Sequence, residues 1–204
     1  MLNSRAYALG DVIMRKQFTH AAEREASVVF QNAVLRLPRK YDDRALPWAT
    51  FIEPEVATVG LSEPEARQRS PEVRVFRADF DGLDRARIDG LTQGFAKVMA
   101  LPSGKILGAT VLGEQAALIV QEFALAMEHG LTLQNIASTA HVYPTYACLA
   151  LKLASQFPAA RLERGFFQTA LRWIYGFQPK PESGGGPQPS APEKSASDLV
   201  TRGH

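Results

Sequence analysis

From Thr19 onward the apolar positions Ala22, Ala26, Val29, Phe30, Ala33 and Leu37 recur at helical spacing, with Thr19 placed as N-cap and Pro38 ending the pattern. This predicts one amphipathic helix. Ahead of it, residues 5–9 form a short strand-like run closed by Gly10-Asp11. A strand that close to Met1 needs neighbours from elsewhere, so the chain is expected to begin mid-architecture. Residues 38–47, rich in Arg, Lys and Asp, read as a linker rather than a packed element and place a domain boundary there.

After the linker the period shifts from helical to alternating. Residues 48–52 and 56–59 are β-rich runs separated by Glu53-Pro54-Glu55. Ser62, followed three residues later by Glu65, has the capping-box pattern and opens a short helix to about residue 70. Residues 73–78 alternate like a strand, and 94–101 pair with 105–112 across Pro102-Ser103-Gly104. Residues 115–129 are helical and apolar on nearly every side, with Gly130 as the C-terminal cap. So few polar positions remain that this helix must be buried or must pack on a second subunit. Short helices are expected over 132–137 and 145–157. The pattern gives an α+β fold, an antiparallel sheet flanked by helices.

Between the last two helices lies His141-Val142-Tyr143-Pro144-Thr145. Pro144 removes a backbone donor and pushes Tyr143 out of the helical region, so one segment ends here and another begins. An aromatic before proline makes a cis bond a candidate geometry. Read alone, the stretch is a helix-to-helix connection holding a buried tyrosine. Beyond Pro158, residues 161–177 mix Arg with large apolar side chains, as an amphipathic helix resting on protein would, and 179–204 have the Pro, Gly, Ser and Glu content of a disordered tail.

Composition narrows the function classes. The chain has 204 residues, 46% hydrophobic, and a net charge of +2 with basic and acidic residues interleaved, which excludes a nucleic-acid surface as an expectation. Cys148 is the only cysteine, so no internal disulfide, two-cysteine redox centre or multi-cysteine zinc site can form within the chain. A reducing cytoplasm fits best. No signal peptide pattern and no membrane-spanning apolar run are found, so a membrane partner is not expected.

Five motifs in order carry a resemblance: Tyr7-Ala8-Leu9-Gly10-Asp11, Phe18-Thr19-His20-Ala21-Ala22, Glu53 through Leu61, Gly104-Lys105-Ile106-Leu107-Gly108-Ala109, and His141-Val142-Tyr143-Pro144-Thr145. Together, across residues 7–157, they resemble the C-terminal part of the pyridine nucleotide-disulfide oxidoreductases, and most nearly its mercuric-reductase-like branch. The resemblance implies that 1–46 are the end of an FAD-binding domain, contributing one strand and one helix, and that 47–158 are a dimerisation domain. An extension over 159–178 and the tail from 179 follow.

What the resemblance implies for single residues is specific. Gly10 and Asp11 would meet FAD, with the Asp11 carboxylate accepting from a ribitol hydroxyl. Thr19, His20, Ala21 and Ala22 would set a helix N-terminus against the flavin pyrimidine edge, His20 through its backbone. His141, Tyr143 and Pro144 would reach the flavin of the other subunit of a homodimer. In the family's disulfide reductases the residue before this proline is a histidine paired with a glutamate. Tyr143 stands in the histidine's place and Cys148 in the glutamate's, so that dyad is missing. A phenol with an ordinary pKa of about 10 is a poor base at neutral pH but a good donor, which favours metal-ion or quinone-like electron acceptors over a dithiol. His141 is a candidate substitute base, or a hydrogen-bonded histidine of the fold. Cys148 reads as a small buried hydrophobe.

No glycine-rich dinucleotide fingerprint for FAD or NAD(P)H is present. Two readings follow. The chain is the C-terminal segment of an FAD-dependent NAD(P)H oxidoreductase, inactive alone, and either a truncated or split product or one polypeptide of a complex whose N-terminal FAD/NAD(P)-binding half is separately encoded. Alternatively it is a stand-alone dimerisation or interaction module without redox activity.

Overall fold

The computed structural model describes residues 6–162. In chain order the elements are α1 (Thr19–Ala33), β1 (Trp48–Thr50), β2 (Val56–Gly60), α2 (Glu63–Arg69), β3 (Arg74–Asp79), α3 (Asp84–Asp89), β4 (Phe95–Ala100), β5 (Ile106–Leu112), α4 (Ala116–Glu128), α5 (Leu133–Ser138) and α6 (Cys148–Leu162). The five strands form one antiparallel sheet in the order β1-β2-β5-β4-β3. The expected hairpin is its centre: Phe95 faces Leu112 and Lys97 faces Thr110.

Alternation along β4 decides which side chain goes to which layer. Ala96, Val98 and Ala100 point into the main core, while Met99 joins a smaller cluster with Ala66 and Val73 beneath α2. The register slips between Met99 and Ala100, where Leu107 of β5 is the extra residue. This bulge lets Ile106 and Ala109, an odd step apart, face the same core. The main core is closed by α4, α5 and α6, with Phe123, Leu133, Leu149, Leu153 and Phe157 fully buried. Burying each such side chain stabilises by about 1.5–3 kcal/mol.

Helix termini follow sequence chemistry. Glu65 accepts from the Ser62 backbone N–H and the Ser62 side chain accepts from the Glu65 backbone, as the capping-box pattern requires. Glu55, from the Glu53-Pro54-Glu55 turn, accepts the Ala117 N–H at 3.1 Å and so places an acid at the positive end of α4. Gly130 takes the left-handed conformation just past α4.

Several expectations are corrected. Residues 6–9 form no strand, because a strand needs a ladder partner and none is supplied among the described residues; a 3-10 turn, Gly10–Ile13, follows instead. Helix α1 ends at Ala33, short of Leu37, since Arg36 turns into the left-handed region. Phe18, not Thr19, occupies its N-cap. The 38–47 segment is irregular, but Ala45 and Leu46 are buried, so it is partly packed. Helix α6 begins at Cys148 rather than 145, because Pro144 and Thr145 remain in the turn, and it continues past Pro158 to Leu162. The α3 segment was not expected at all. Most of the predicted 161–177 helix and the whole 179–204 tail lie outside the described residues.

Candidate functional site

Two groups of predicted residues are assembled in different places. At the first, the Gly10–Ile13 turn lies on the start of α1. Gly10 donates its N–H to Glu25 Oε2 at 2.6 Å, and a side chain at Gly10 would touch the Ala22 Cβ at 3.5 Å. Glu25 is almost fully buried, and Ala21 is wholly so. This turn-and-helix joint therefore rests on a carboxylate two turns into the helix that the motif reading did not single out. A charge-assisted bond of this kind is worth about 1.5–3 kcal/mol.

Around that joint the surface is open. Asp11, Thr19 and His20 are exposed. The α1 N-terminus has no side-chain cap, because Phe18 brings no oxygen. His20 contributes more than backbone: its Nε2–H donates to the Pro47 carbonyl at 2.7 Å, and its ring stacks on Phe18, which stacks on Trp48. Arg24 reaches both carboxylate oxygens of Glu128 at 2.7 and 2.8 Å. These contacts tie α1 to β1 and α4.

At the second place, the focal turn joins α5 to α6, and the Tyr143-Pro144 bond is cis. The buried tyrosine is not Tyr143, which is 70% exposed, but Tyr146, which is 4% exposed. The difference comes from the turn: the three-residue step from Tyr143 carries Tyr146 inward against Phe80, ring centroids 6.2 Å apart.

His141 is held at both nitrogens. Nδ1 donates to the Thr139 carbonyl at 2.9 Å, and Nε2 lies 3.0 and 3.2 Å from the two carboxylate oxygens of Glu122 on α4. A carbonyl only accepts, so Nδ1 is the donor to Thr139, and the ring is held between the end of α5 and Glu122 of α4. The His141 side chain is only 6% exposed. Cys148 is half-buried, its thiol directed to the Val142 carbonyl at 3.4 Å.

Both tyrosines of the turn are received by α3. The Tyr143 hydroxyl donates to Asp84 Oδ2 at 2.8 Å, and the Tyr146 hydroxyl to Asp89 Oδ2 at 2.9 Å. Burial and the Asp89 bond push the Tyr146 phenol up to about 12. A raised folded-state value means that the stabilisation is whole below the unfolded pKa of about 10 and is lost as pH rises through about 12. Thermal melts of the wild-type chain should therefore fall steeply between pH 10 and 12. Tyr146→Phe should flatten that decline while lowering stability at pH 7 by about 1 kcal/mol.

Sequence reasoning missed Asp84, Asp89, Glu122 and Glu25. Three signals were present. Gly90, in the left-handed conformation, ends α3, and Arg85 with Asp89 is an i,i+4 pair. Glu122 is the lone carboxylate in the middle of a nearly all-apolar helix.

Among the described residues no group of three or more His, Cys, Asp or Glu is placed to hold a metal, and no helix is long and apolar enough to cross a membrane.

Known proteins share this fold. Residues 46–151 match the family model described as the pyridine nucleotide-disulphide oxidoreductase dimerisation domain. A mercuric reductase of Staphylococcus aureus is 35% identical over 154 residues, which cover 75% of this chain and 28% of the relative. A dihydrolipoyl dehydrogenase of Halobacterium salinarum is 37% identical over 140 residues, covering 68% of this chain and 29% of the relative. The chain thus spans less than a third of the length of these relatives. Among solved structures, the Cu(II) complex of the HOCl-induced flavoprotein disulfide reductase RclA from Escherichia coli superposes with a TM-score of 0.68 at 24% identity, covering 74% of this chain and 34% of that one. With the fold and the sequence similarity agreeing over the same residues, the chain belongs to the pyridine nucleotide-disulphide oxidoreductase dimerisation-domain family.

Proposed function

We propose that this chain is the C-terminal segment of an FAD-dependent NAD(P)H oxidoreductase, closing a flavin site and forming the interface of a homodimer. In this reading residues 1–46 belong to the FAD-binding domain and 47–158 to the dimerisation domain. The observation that carries it is the exposure of the Tyr143 ring beside side chains that are anchored to the rest of the domain. His141 is satisfied at both nitrogens, Tyr146 is buried and Thr145 donates to the Val142 carbonyl. Among residues 141–146 the exposed ones are Tyr143 and Val142, at 70% and 77% exposure.

That surface continues onto α4. Leu118 and Leu125 are 69% and 58% exposed on either side of Glu122, a spacing that makes one stripe. The Glu122 contact with His141 brings the turn beside the stripe. A second copy laid on this face buries the leucines and carries Tyr143 across the two-fold axis.

The residues at the first place fit a flavin dinucleotide. Uncapped N–H groups at the start of α1 suit an electron-rich pyrimidine edge, the small residues Gly10 and Ala22 permit close approach while Ala21 packs beneath them, and Asp11 offers acceptors to a hydroxyl. FAD, when bound, supplies the electron transfer between NAD(P)H and the acceptor. The chain's own part is to orient it and exclude water. Tyr143 contributes its phenol ring and oxygen beside it, the hydroxyl proton being given to Asp84, and His141 acts as a strut from α4 rather than as a base. With Tyr143 and Cys148 where a His–Glu dyad would stand, a metal ion or quinone-like acceptor suits the site better than a dithiol.

A specific observation also favours the second reading, a dimerisation module without redox chemistry: the five-stranded sheet and the helices that cover its core lie together within the described residues. Flavin content separates the two. On the first reading the purified chain carries no flavin absorption and does not oxidise NAD(P)H, but takes up FAD stoichiometrically when co-produced with an FAD- and NAD(P)H-binding N-terminal half. On the second, no flavin is gained.

A further inference from the structure

We propose that Asp84 is a positioning residue for Tyr143, holding the phenol as a committed hydrogen-bond donor in a fixed direction on the exposed face of the turn. The inference rests on the reading of Tyr143 as the flavin-facing group, and deepens it by naming what aims that group.

The geometry is a clamp at both ends of α3. Tyr143 donates to Asp84 at the helix start and Tyr146 donates to Asp89 at its end. Beside them, Lys152 of α6 donates to the Gly82 carbonyl at 2.8 Å, just ahead of α3. Three side chains from the turn and the following helix thus fasten one six-residue helix. Two of the three fastenings have structural neighbours: Tyr146 is buried against Phe80, and Lys152 caps a second 3-10 turn, Phe80–Gly82.

The third does not. Tyr143 is largely exposed, so its bond to Asp84 adds little to folding, yet it fixes the one torsion by which the ring would otherwise swing. Asp84 is kept available for this. Its neighbour Arg85 is turned away into a bidentate pair with Asp89 at 2.8 and 2.6 Å, and among the described residues no cation pairs with Asp84. The carboxylate can only accept, so the phenol must donate to it, which leaves the two lone pairs of the Tyr143 oxygen facing outward. The phenol proton is therefore withheld from proton transfer, and the oxygen is offered as an acceptor or as a ligand-side dipole. The bond to Asp84, reinforced by its charge, burial and Cys148, also raises the Tyr143 pKa above the ordinary phenol value.

The test is an NMR titration of the full chain labelled with 13Cζ-tyrosine, in which Tyr143→Phe assigns the Tyr143 resonance among the five tyrosines. In D84N the Tyr143 midpoint should move down toward the ordinary value of about 10, while the Tyr146 resonance, tied to Asp89, stays where it is. D84S serves as a second variant, and unchanged thermal melts at pH 7 show that both are folded. An identical Tyr143 midpoint in wild type and D84N would overturn the assignment, as would a movement of Tyr146 equal to that of Tyr143. A flavin arm separates the underlying reading. In the chain co-produced with its N-terminal half, D84N and Tyr143→Phe should each alter the flavin absorption spectrum. A shifted Tyr143 midpoint with no flavin effect from either variant leaves Asp84 as the positioning residue and removes Tyr143 from the flavin.

Discussion

Replacing Leu118 and Leu125 together by glutamate should convert a homodimer into a monomer at micromolar concentration, read by light scattering or sedimentation. The two leucines are the exposed apolar members of α4, at 69% and 58%, one on each side of the Glu122 that anchors His141. Two-fold symmetry doubles every contact, so four leucine side chains leave water on association. Full burial of a leucine contributes about 1.5–3 kcal/mol, and a carboxylate in its place would have to be desolvated as well. Even 3 kcal/mol of lost interaction raises the dissociation constant by more than 100-fold. Because the substituted positions are already exposed in the single chain, the monomer should keep its thermal stability. Loss of folding instead of loss of association would place these leucines in the core, contrary to the geometry here.

The second large effect concerns the support beneath the turn. Gly113 lies at φ +151, and a Cβ added there would come within 2.3 Å of the Phe80 ring. Neither atom has room to retreat: Phe80 is fully buried, and its other neighbour is the Tyr146 ring. Gly113→Ala should therefore destabilise by about 1–3 kcal/mol through overpacking, with added cost from a backbone conformation that side chains avoid. Phe80→Ala alone should cost about 3–5 kcal/mol by leaving a cavity. The double variant should cost clearly less than the sum, since the new methyl enters the space that the ring leaves. Urea unfolding of the four chains measures this coupling. Additive losses would show that the two positions do not share one space.

Much of the fold could be read from the chain because it is written in local periodicity. The 94–112 hairpin is two β-rich runs around a Pro-Ser-Gly turn, helix α4 has a capping glycine, and the Ser62 to Glu65 spacing forms the capping interaction it predicts. What failed depended on distant partners or on short, highly charged segments. Residues 6–9 have strand-like composition, but a strand exists only with a neighbour to pair with. Helix α3 is six residues with charges on most of them, too short for a period to emerge. The site divides in the same way. The turn at His141 to Thr145 was visible as a motif, but its partners were not: Asp84 is 59 residues from Tyr143, and Glu122 is 19 from His141. Nor could sequence alone tell which tyrosine was buried, since that depends on how the turn rotates Tyr143 outward and Tyr146 onto Phe80.

The central claim is that this chain presents Tyr143, across a dimer interface, to a flavin held by the other subunit. It is tested most directly by co-producing the chain with an FAD-binding N-terminal half and recording the flavin absorption spectrum of wild type, Tyr143→Phe and the Leu118→Glu/Leu125→Glu pair. The account predicts stoichiometric flavin in the wild-type dimer, a perturbed spectrum with full flavin occupancy in Tyr143→Phe, and the same perturbation in the monomeric double variant. A flavin spectrum indifferent to Tyr143, or one that still senses it in the monomer, would contradict the account.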